Sequence, residues 1–228
     1  MKHQELRGEI SRIVRRMADS GLVVGTAGNV SIRTPDDTVL VTPSGLDYAD
    51  MGPEDVALVD LDGNFLNGPF APSTETPMHT GIYRARPRVG GIVHTHARFA
   101  TTLACLHLEI PPLHYMLVSL SDEGRVPLAS YATYGTEDLA RNAAEALGEV
   151  HHACLLQNHG TITVGDTATE AYSRTEVLEE MAELYYRARL AGEPAILSPE
   201  QLAEVAARIS DYGQSKATSG STSGAVRG

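Results

Sequence analysis

His94 and His96 close the stretch "GGIVHTHARFA", residues 90–100, where an apolar run ends and a helical pattern begins. In an extended strand alternate side chains share a face about 6.7 Å apart at their Cα atoms, so two imidazoles at this spacing can converge on one ion. Gly90, Gly91, Ile92 and Val93 read as the end of a buried strand, which puts the pair where a strand empties into a loop. A third imidazole has a matching setting, because "LLQNHGTITV" places His159 at the tip between two apolar strands beside a turn glycine. Three histidines give a zinc-type site with an open coordination position. The best-placed carboxylate is Glu75 in "APSTETPMH", a loop of small hydroxyl residues just before a helix.

His94, His96, His159 and Glu75 form a sensible donor set for Zn²⁺, with Mn²⁺, Co²⁺ and Fe²⁺ as alternatives; two histidines and a carboxylate would equally suit a non-haem iron oxygenase. Plainer readings exist for each. The HxH pair can be surface histidines, and Glu75 can be a carboxylate drawn to a helix N-terminus. His79, one turn after Glu75, reads as a helix-face residue rather than a ligand, and His151 and His152 fall in an apparent loop with no assigned role.

Three glycine and hydroxyl loops look like an anion site. "GTAGNVS", "TPSG" and "PSTE" each offer backbone N–H groups beside Thr, Asn or Ser side chains, and the last adjoins a helix start whose partial positive charge favours phosphate. Singly they are ordinary turns. Beside a metal quartet they suggest a small phosphorylated metabolite.

The elements that must position these groups follow from periodicity. Leu6, Ile10, Ile13, Val14 and Met17 recur at helical spacing up to Gly21. "VSIRT" and "TVLVT" around "PDD" read as a hairpin, and "VALVDLDGNFL" as a second with an Asp-Gly turn. Helices are expected over "TPMHTGIYRAR", "RFATTLACLH", "TEDLARNAAEAL", "TATEAYSRTEVLEEMAELYYRARLAG" and "SPEQLAEVAARI". Thr167 and Glu170 offer a capping box for the longest. Strands are expected at "GGIVHTH", near "LHYMLVSL" and "VPLASY", and on both sides of "QNHG". Hairpins mixed with crossover helices predict a single α/β domain, with a largely antiparallel central β-sheet flanked by α-helices.

Bulk properties narrow the function. The chain has 228 residues, 42% hydrophobic and 21% charged, as an ordinary globular domain does. Its formal charge of −11 comes with no continuous basic face, which argues against a nucleic-acid partner, because phosphate-backbone affinity needs clustered cations. No apolar run approaches the length of a membrane span, and the first residues form an amphipathic helix pattern without a signal-peptide core, so a cytoplasmic protein without a membrane partner is expected. Cys105 and Cys154 lie in apolar stretches and read as inert buried thiols.

"TAGNVS", "TPSG", "PSTE", "HTHA", "PPLHYM", "YATYGT" and "QNHG", with "YGQ" after the last helix, occur in one order over residues 20–213. In that ordered set the sequence resembles the class II aldolase/adducin family. The resemblance implies a catalytic domain over residues 1–213; the tail at 214–228 lies outside it and, with nothing to bury, is expected to be disordered. It implies one Zn²⁺ held by His94, His96 and His159, with Glu75 as a fourth ligand that leaves to act as base or acid. It implies phosphate binding by Gly28 and Asn29, Ser44 and Gly45, Ser73 and Thr74, with Thr26 in support. Tyr115 would reach into a neighbouring subunit's site and act as a proton donor within a cyclic homotetramer, and Tyr134 and Tyr212 would lie near an aldehyde pocket. The implied reaction is cleavage of a ketose 1-phosphate, either L-fuculose 1-phosphate or a 5-deoxypentulose 1-phosphate, to dihydroxyacetone phosphate and an aldehyde. The competing readings are a pentulose-phosphate 4-epimerase, a sugar-phosphate dehydratase or decarboxylase, and a non-enzymatic adducin-like module. The epimerases resemble a pattern with aspartate where Glu75 stands, and the adducin head lacks the metal histidines. Thr74 replaces the second of the family's paired serines, Tyr134 stands where the resemblance expects phenylalanine, and Ile209 where it expects an aromatic residue ahead of the tail tyrosine, which bears on the aldehyde rather than on the reaction.

Overall fold

The computed structural model describes residues 2–209. Six helices, α1 (Gln4–Asp19), α2 (Thr76–Ala85), α3 (Arg98–Cys105), α4 (Glu137–Leu147), α5 (Ala168–Ala191) and α6 (Pro199–Ile209), surround one sheet. Its strands are β1 (Asn29–Arg33), β2 (Val39–Val41), β3 (Ala57–Val59), β4 (Phe65–Asn67), β5 (Gly91–Thr95), β6 (Leu128–Ala129), β7 (Ala153–Leu156) and β8 (Gly160–Gly165). They lie in the order β4-β3-β2-β1-β5-β8-β7-β6, and every neighbouring pair is antiparallel except β6 with β7. The domain is therefore α/β with a mostly antiparallel eight-stranded sheet.

Both faces of the sheet are covered, which explains why its central strands carry apolar residues on both sides. On one face Ile10, Ile13, Val14 and Met17 of α1, with Ala171 and Tyr172 of α5, pack on Val30, Ile32, Leu40 and Val93. On the other, Met78, Ile82 and Tyr83 of α2 and Leu139, Ala143 and Leu147 of α4 pack on Val39, Val41, Ile92, Leu156 and Ile162. The period of two along β5 thus sends Ile92 and His94 toward α2 and Val93 toward α1 and α5. Helix α5 also packs against α3 through Leu178, Met181 and Ala182.

Three expectations are corrected. The segment near "LHYMLVSL" is not a strand: residues Tyr115–Ser119 form a 3-10 turn. Pro111 and Pro112 cannot donate to a ladder, the His114 ring accepts from Met116 N–H, and Leu117 and Leu120 bury at a spacing of three. Cys154 is buried, but Cys105 is exposed, because the apolar stripe of α3 runs through Ala100, Leu103 and Ala104 and leaves the next residue outside. The capping box of α5 is half formed. Thr167 Oγ accepts from Glu170 N–H at 3.1 Å, while the Glu170 carboxylate turns instead to Asp166 N–H and Arg174. The expected disordered tail at 214–228 lies outside the described residues. No helix among the described residues is long and apolar enough to cross a membrane.

Candidate metal centre

Four residues from three separate segments meet at one end of the central strands. His94 is the fourth residue of β5 and is fully buried; His96 stands just past the strand's end. His159 sits in the turn between β7 and β8, after Asn158, whose left-handed φ of 53° turns the chain. Glu75 occupies the N-cap position of α2 but spends no side-chain bond on the helix. His94 Nε2 lies 3.0 Å from Glu75 Oε2, His159 Nε2 lies 3.1 Å from Glu75 Oε1, and the Nε2 atoms of His94 and His96 are 3.1 Å apart. All four ligand atoms fall within 4.8 Å of one another.

Two glycines allow this convergence. A Cβ on Gly160 would stand 2.4 Å from Thr95 O and 2.8 Å from the His96 ring, so β8 passes the HxH segment only without a side chain there. At Gly28, with φ 81°, a Cβ would meet His94 O at 2.8 Å. Its carbonyl is held by the buried Tyr48 hydroxyl.

The electrostatics suit a cation. His94 Nδ1 lies 2.8 Å from the Thr161 carbonyl, an acceptor, so Nδ1 carries the proton and Nε2 presents a bare lone pair to the centre. Burial pushes His96 down to about 4, reinforced by His94 and His159, so its ring is neutral at neutral pH. Burial raises the Glu75 carboxyl, and positive charge on the side of His94 and His159 lowers it below the usual carboxylate range; with neutral imidazoles, a shared cation is what supplies that charge. Glu75 Oε1 is buried without a donor in hydrogen-bond geometry. An orphaned carboxylate oxygen facing three imidazole nitrogens is costly in a protein interior unless a cation is shared between them. The donor set fits a divalent metal ion.

The hydroxyl and glycine loops gather beside this cluster. Val30 N–H donates to Thr42 Oγ1, Ser73 N–H donates to Thr42 O at 3.0 Å, and Ser44 N–H to Ala71 O at 3.0 Å, which ties "TPSG" and "PSTE" to the start of β1. Thr26, Ser44, Gly45 and Thr74 are exposed, whereas Gly28, Asn29 and Ser73 are buried. The Asn29 amide points inward to Glu75 and His79. A cleft of about 270 Å³ opens on the cluster, lined by Thr74, Glu75, His96, Tyr131, Ala132, Tyr134, Asn158 and His159.

Tyr131 and Asn158 escaped the reading of the sequence. Both stand inside quoted motifs, "YATYGT" and "QNHG", and that adjacency was the available signal. Tyr134 lines the cleft and is 65% exposed. Tyr115 does not line it; its ring packs 4.6 Å from that of His114 and is half exposed. Tyr212 lies outside the described residues.

Residues 8–186 match the family described as Class II Aldolase and Adducin N-terminal domain. The chain belongs to that family. It is 41% identical over 208 residues to the 5-methylthioribulose-1-phosphate/5-deoxyribulose-1-phosphate aldolase of Rhodospirillum rubrum, covering 91% of this chain and 92% of that protein. It is 37% identical to the 5-deoxy-D-ribulose 1-phosphate aldolase of Bacillus thuringiensis, covering 92% and 98%. Among solved structures, an L-fuculose 1-phosphate aldolase superposes with a TM-score of 0.87 at 33% identity, over 92% of this chain and 98% of that one. With these relatives and a complete three-histidine, one-glutamate cluster, the class II family member described here is an aldolase, a lyase.

Proposed function

We propose that this class II aldolase reversibly cleaves a ketose 1-phosphate between C3 and C4, giving dihydroxyacetone phosphate and an aldehyde. A 5-deoxypentulose 1-phosphate is the favoured substrate, ahead of L-fuculose 1-phosphate. The activities of the relatives at 41% and 37% identity support that order. So does the cleft, where Tyr131, Ala132 and Tyr134 offer an apolar wall to the aldehyde end. The reading rests above all on the convergence of Glu75, His94, His96 and His159 beside three loops of neutral donors.

His94, His96 and His159 would hold the ion, with Glu75 completing the set, and Zn²⁺ is the metal we assign to it. When bound, the ion supplies Lewis acidity at the ketose carbonyl, lowering the cost of the negative charge that carbon–carbon cleavage leaves. Glu75 takes the proton of the C4 hydroxyl as the C3–C4 bond breaks and returns one to C3. The exposed hydroxyls of Thr26, Ser44 and Thr74, with Gly28, Gly45, Ser73 and the main chain of Asn29, bind the phosphate dianion. Anchoring this remote group orients the carbon skeleton, and neutral donors suffice where the chain has no lysine cluster. Tyr115, exposed and away from its own cleft, serves a neighbouring subunit's site in a homotetramer, and Tyr134 and Tyr212 border the aldehyde. We place this chemistry in the cytoplasm, where phosphorylated sugars are metabolised, and assign it to residues 1–213.

The test is direct. Metal-loaded protein is incubated with a panel of ketose 1-phosphates, and release of dihydroxyacetone phosphate is coupled to NADH oxidation. Turnover of 5-deoxypentulose 1-phosphates above the rest supports the reading; full turnover by metal-stripped protein, or none with any ketose 1-phosphate, removes it.

A further inference from the structure

Behind Glu75 lies a file of polar side chains that the ligand set does not use. Asn29 is 3% exposed, and Ser31 and His79 are fully buried, as is Tyr83. Asn29 and Ser31 are two apart on β1 and share a face; His79 and Tyr83 are four apart on α2 and stack on one side of it. Burying four polar groups between a strand and a helix is costly unless each finds a partner. Each does. Asn29 Nδ2 lies 2.8 Å from Glu75 Oε2, and Asn29 Oδ1 lies 2.5 Å from His79 Nε2. His79 Nδ1 is 2.6 Å from Ser31 Oγ, which is 2.9 Å from the Tyr83 hydroxyl.

The ionised carboxylate at the head of this file fixes every proton behind it. Glu75 can only accept, so Asn29 must turn its NH₂ group toward it. The Asn29 carbonyl oxygen then faces His79 Nε2, which must carry the ring proton. His79 Nδ1 is left bare, the Ser31 hydroxyl donates to it, and the Tyr83 hydroxyl donates to Ser31. Burial pushes the His79 imidazolium down to about 3, so the ring stays a neutral single donor across the working range. The file is directional, running from the core outward.

We propose that His79 is a positioning residue: by locking the Asn29 amide in one orientation it fixes the Glu75 carboxylate for metal binding and proton transfer. Without the His79 donor, the buried Asn29 carbonyl oxygen is left without a partner, so the side chain shifts to find one and its hold on Glu75 loosens. A buried histidine that served packing alone would need the same partners, so the readouts below are those that a structural role would not move. The rate readout below rests on the lyase reading of the previous section, whereas the metal and spectroscopic readouts do not.

The experiment uses the full chain. ¹⁵N-histidine NMR of the zinc-loaded protein is expected to show His79 protonated at Nε2 and bare at Nδ1; the opposite tautomer overturns the proposal whether or not any variant folds. Replacing His79→Phe is expected to weaken Zn²⁺ binding in a chelator competition, and to lower kcat, each by about 10- to 100-fold, as loss of an outer hydrogen-bond partner does. KM is expected to stay within about twofold, since Asn29 offers the phosphate its main chain and not the amide that His79 touches. His79→Gln, which keeps a donor and an acceptor, is expected to restore most of the loss. The double variant His79→Phe/Asn29→Ala should lose no more kcat than Asn29→Ala alone; additive losses would mean that His79 does not act through Asn29. A wild-type protein inactive on every ketose 1-phosphate would defeat the lyase assignment and leave the metal titration and the spectrum to judge His79.

Discussion

Glu179, on α5, accepts hydrogen bonds from the backbone N–H groups of Phe99 at 2.8 Å and Ala100 at 2.9 Å. These are first-turn donors of α3, whose N-cap, Ala97, has no side chain able to satisfy them. A carboxylate from a distant helix therefore caps the segment that follows His96. Glu179→Ala is expected to cost about 1–2 kcal/mol of stability, the range for a lost cap, and to loosen metal binding. Urea unfolding of the metal-free protein isolates the first effect, and an unchanged midpoint would show that the cap does not matter.

His94 and Glu75 should fail in different ways. Replacing His94→Ala removes a ligand and is expected to abolish both stoichiometric metal and turnover. Glu75→Gln keeps the shape and three imidazoles but loses the charge that moves the proton, so metal is retained in part while kcat falls by about 100-fold or more. Metal analysis alongside steady-state rates separates the two, and a fully active Glu75→Gln variant would strike Glu75 from the reaction.

The close approach at Gly160 predicts an asymmetry between glycines. Gly160→Ala would drive a methyl group into the β5 backbone at Thr95 O and into the His96 ring, at a cost of about 1–3 kcal/mol with weakened metal affinity. Gly8→Ala, inside α1, would meet only the end of the Arg12 side chain at 3.4 Å and is expected to stabilise the protein by about 0.5–1 kcal/mol. Thermal unfolding of the pair checks the sign of each.

If Tyr115 serves a neighbouring subunit, activity should be recoverable by mixing. Tyr115→Phe and Glu75→Gln, each expected to be slow alone, should regain a fraction of wild-type turnover when unfolded together and reassembled, because some sites then combine an intact Glu75 with an intact Tyr115. Sedimentation of the mixture reports the assembly. No gain over the two separate variants would confine Tyr115 to its own subunit or remove it from catalysis.

Cys154, two strands across from His94 in the sheet, gives a pH dependence of its own. Burial pushes its thiol up from about 9 to about 12, so in the unfolded chain it loses its proton first. Between those values the unfolded state binds fewer protons than the folded one, and stability falls as pH rises. The contribution is complete below pH 9 and is lost at up to about 1.4 kcal/mol per pH unit toward 12. Cys154→Val removes the titrating group, so its stability should decline less steeply over that window in denaturant titrations.

The sequence by itself determined the local geometry and much of the chemistry. Alternation along "GIVHT" put His94 on one face of its strand, the small residues of "PSTE" set Glu75 at a helix start, and helical spacing delimited α1, α4 and α5 within a few residues. These are short-range matters, ruled by the periods of strand and helix and by caps and turns a few residues away. Local signals mislead where two periods compete over a short span, as at Leu117 and Leu120, or where one step around a helix decides exposure, as at Cys105. Tertiary structure alone decided which elements are neighbours. The order β1-β5-β8 brings residues 29, 94 and 162 side by side, and only the packing of α2 over β1 shows that His79 meets Asn29 and Ser31. Such pairings depend on which distant faces bury each other, and that free energy is spread over the whole core. The motif residues name the donors; the fold aims them at one point.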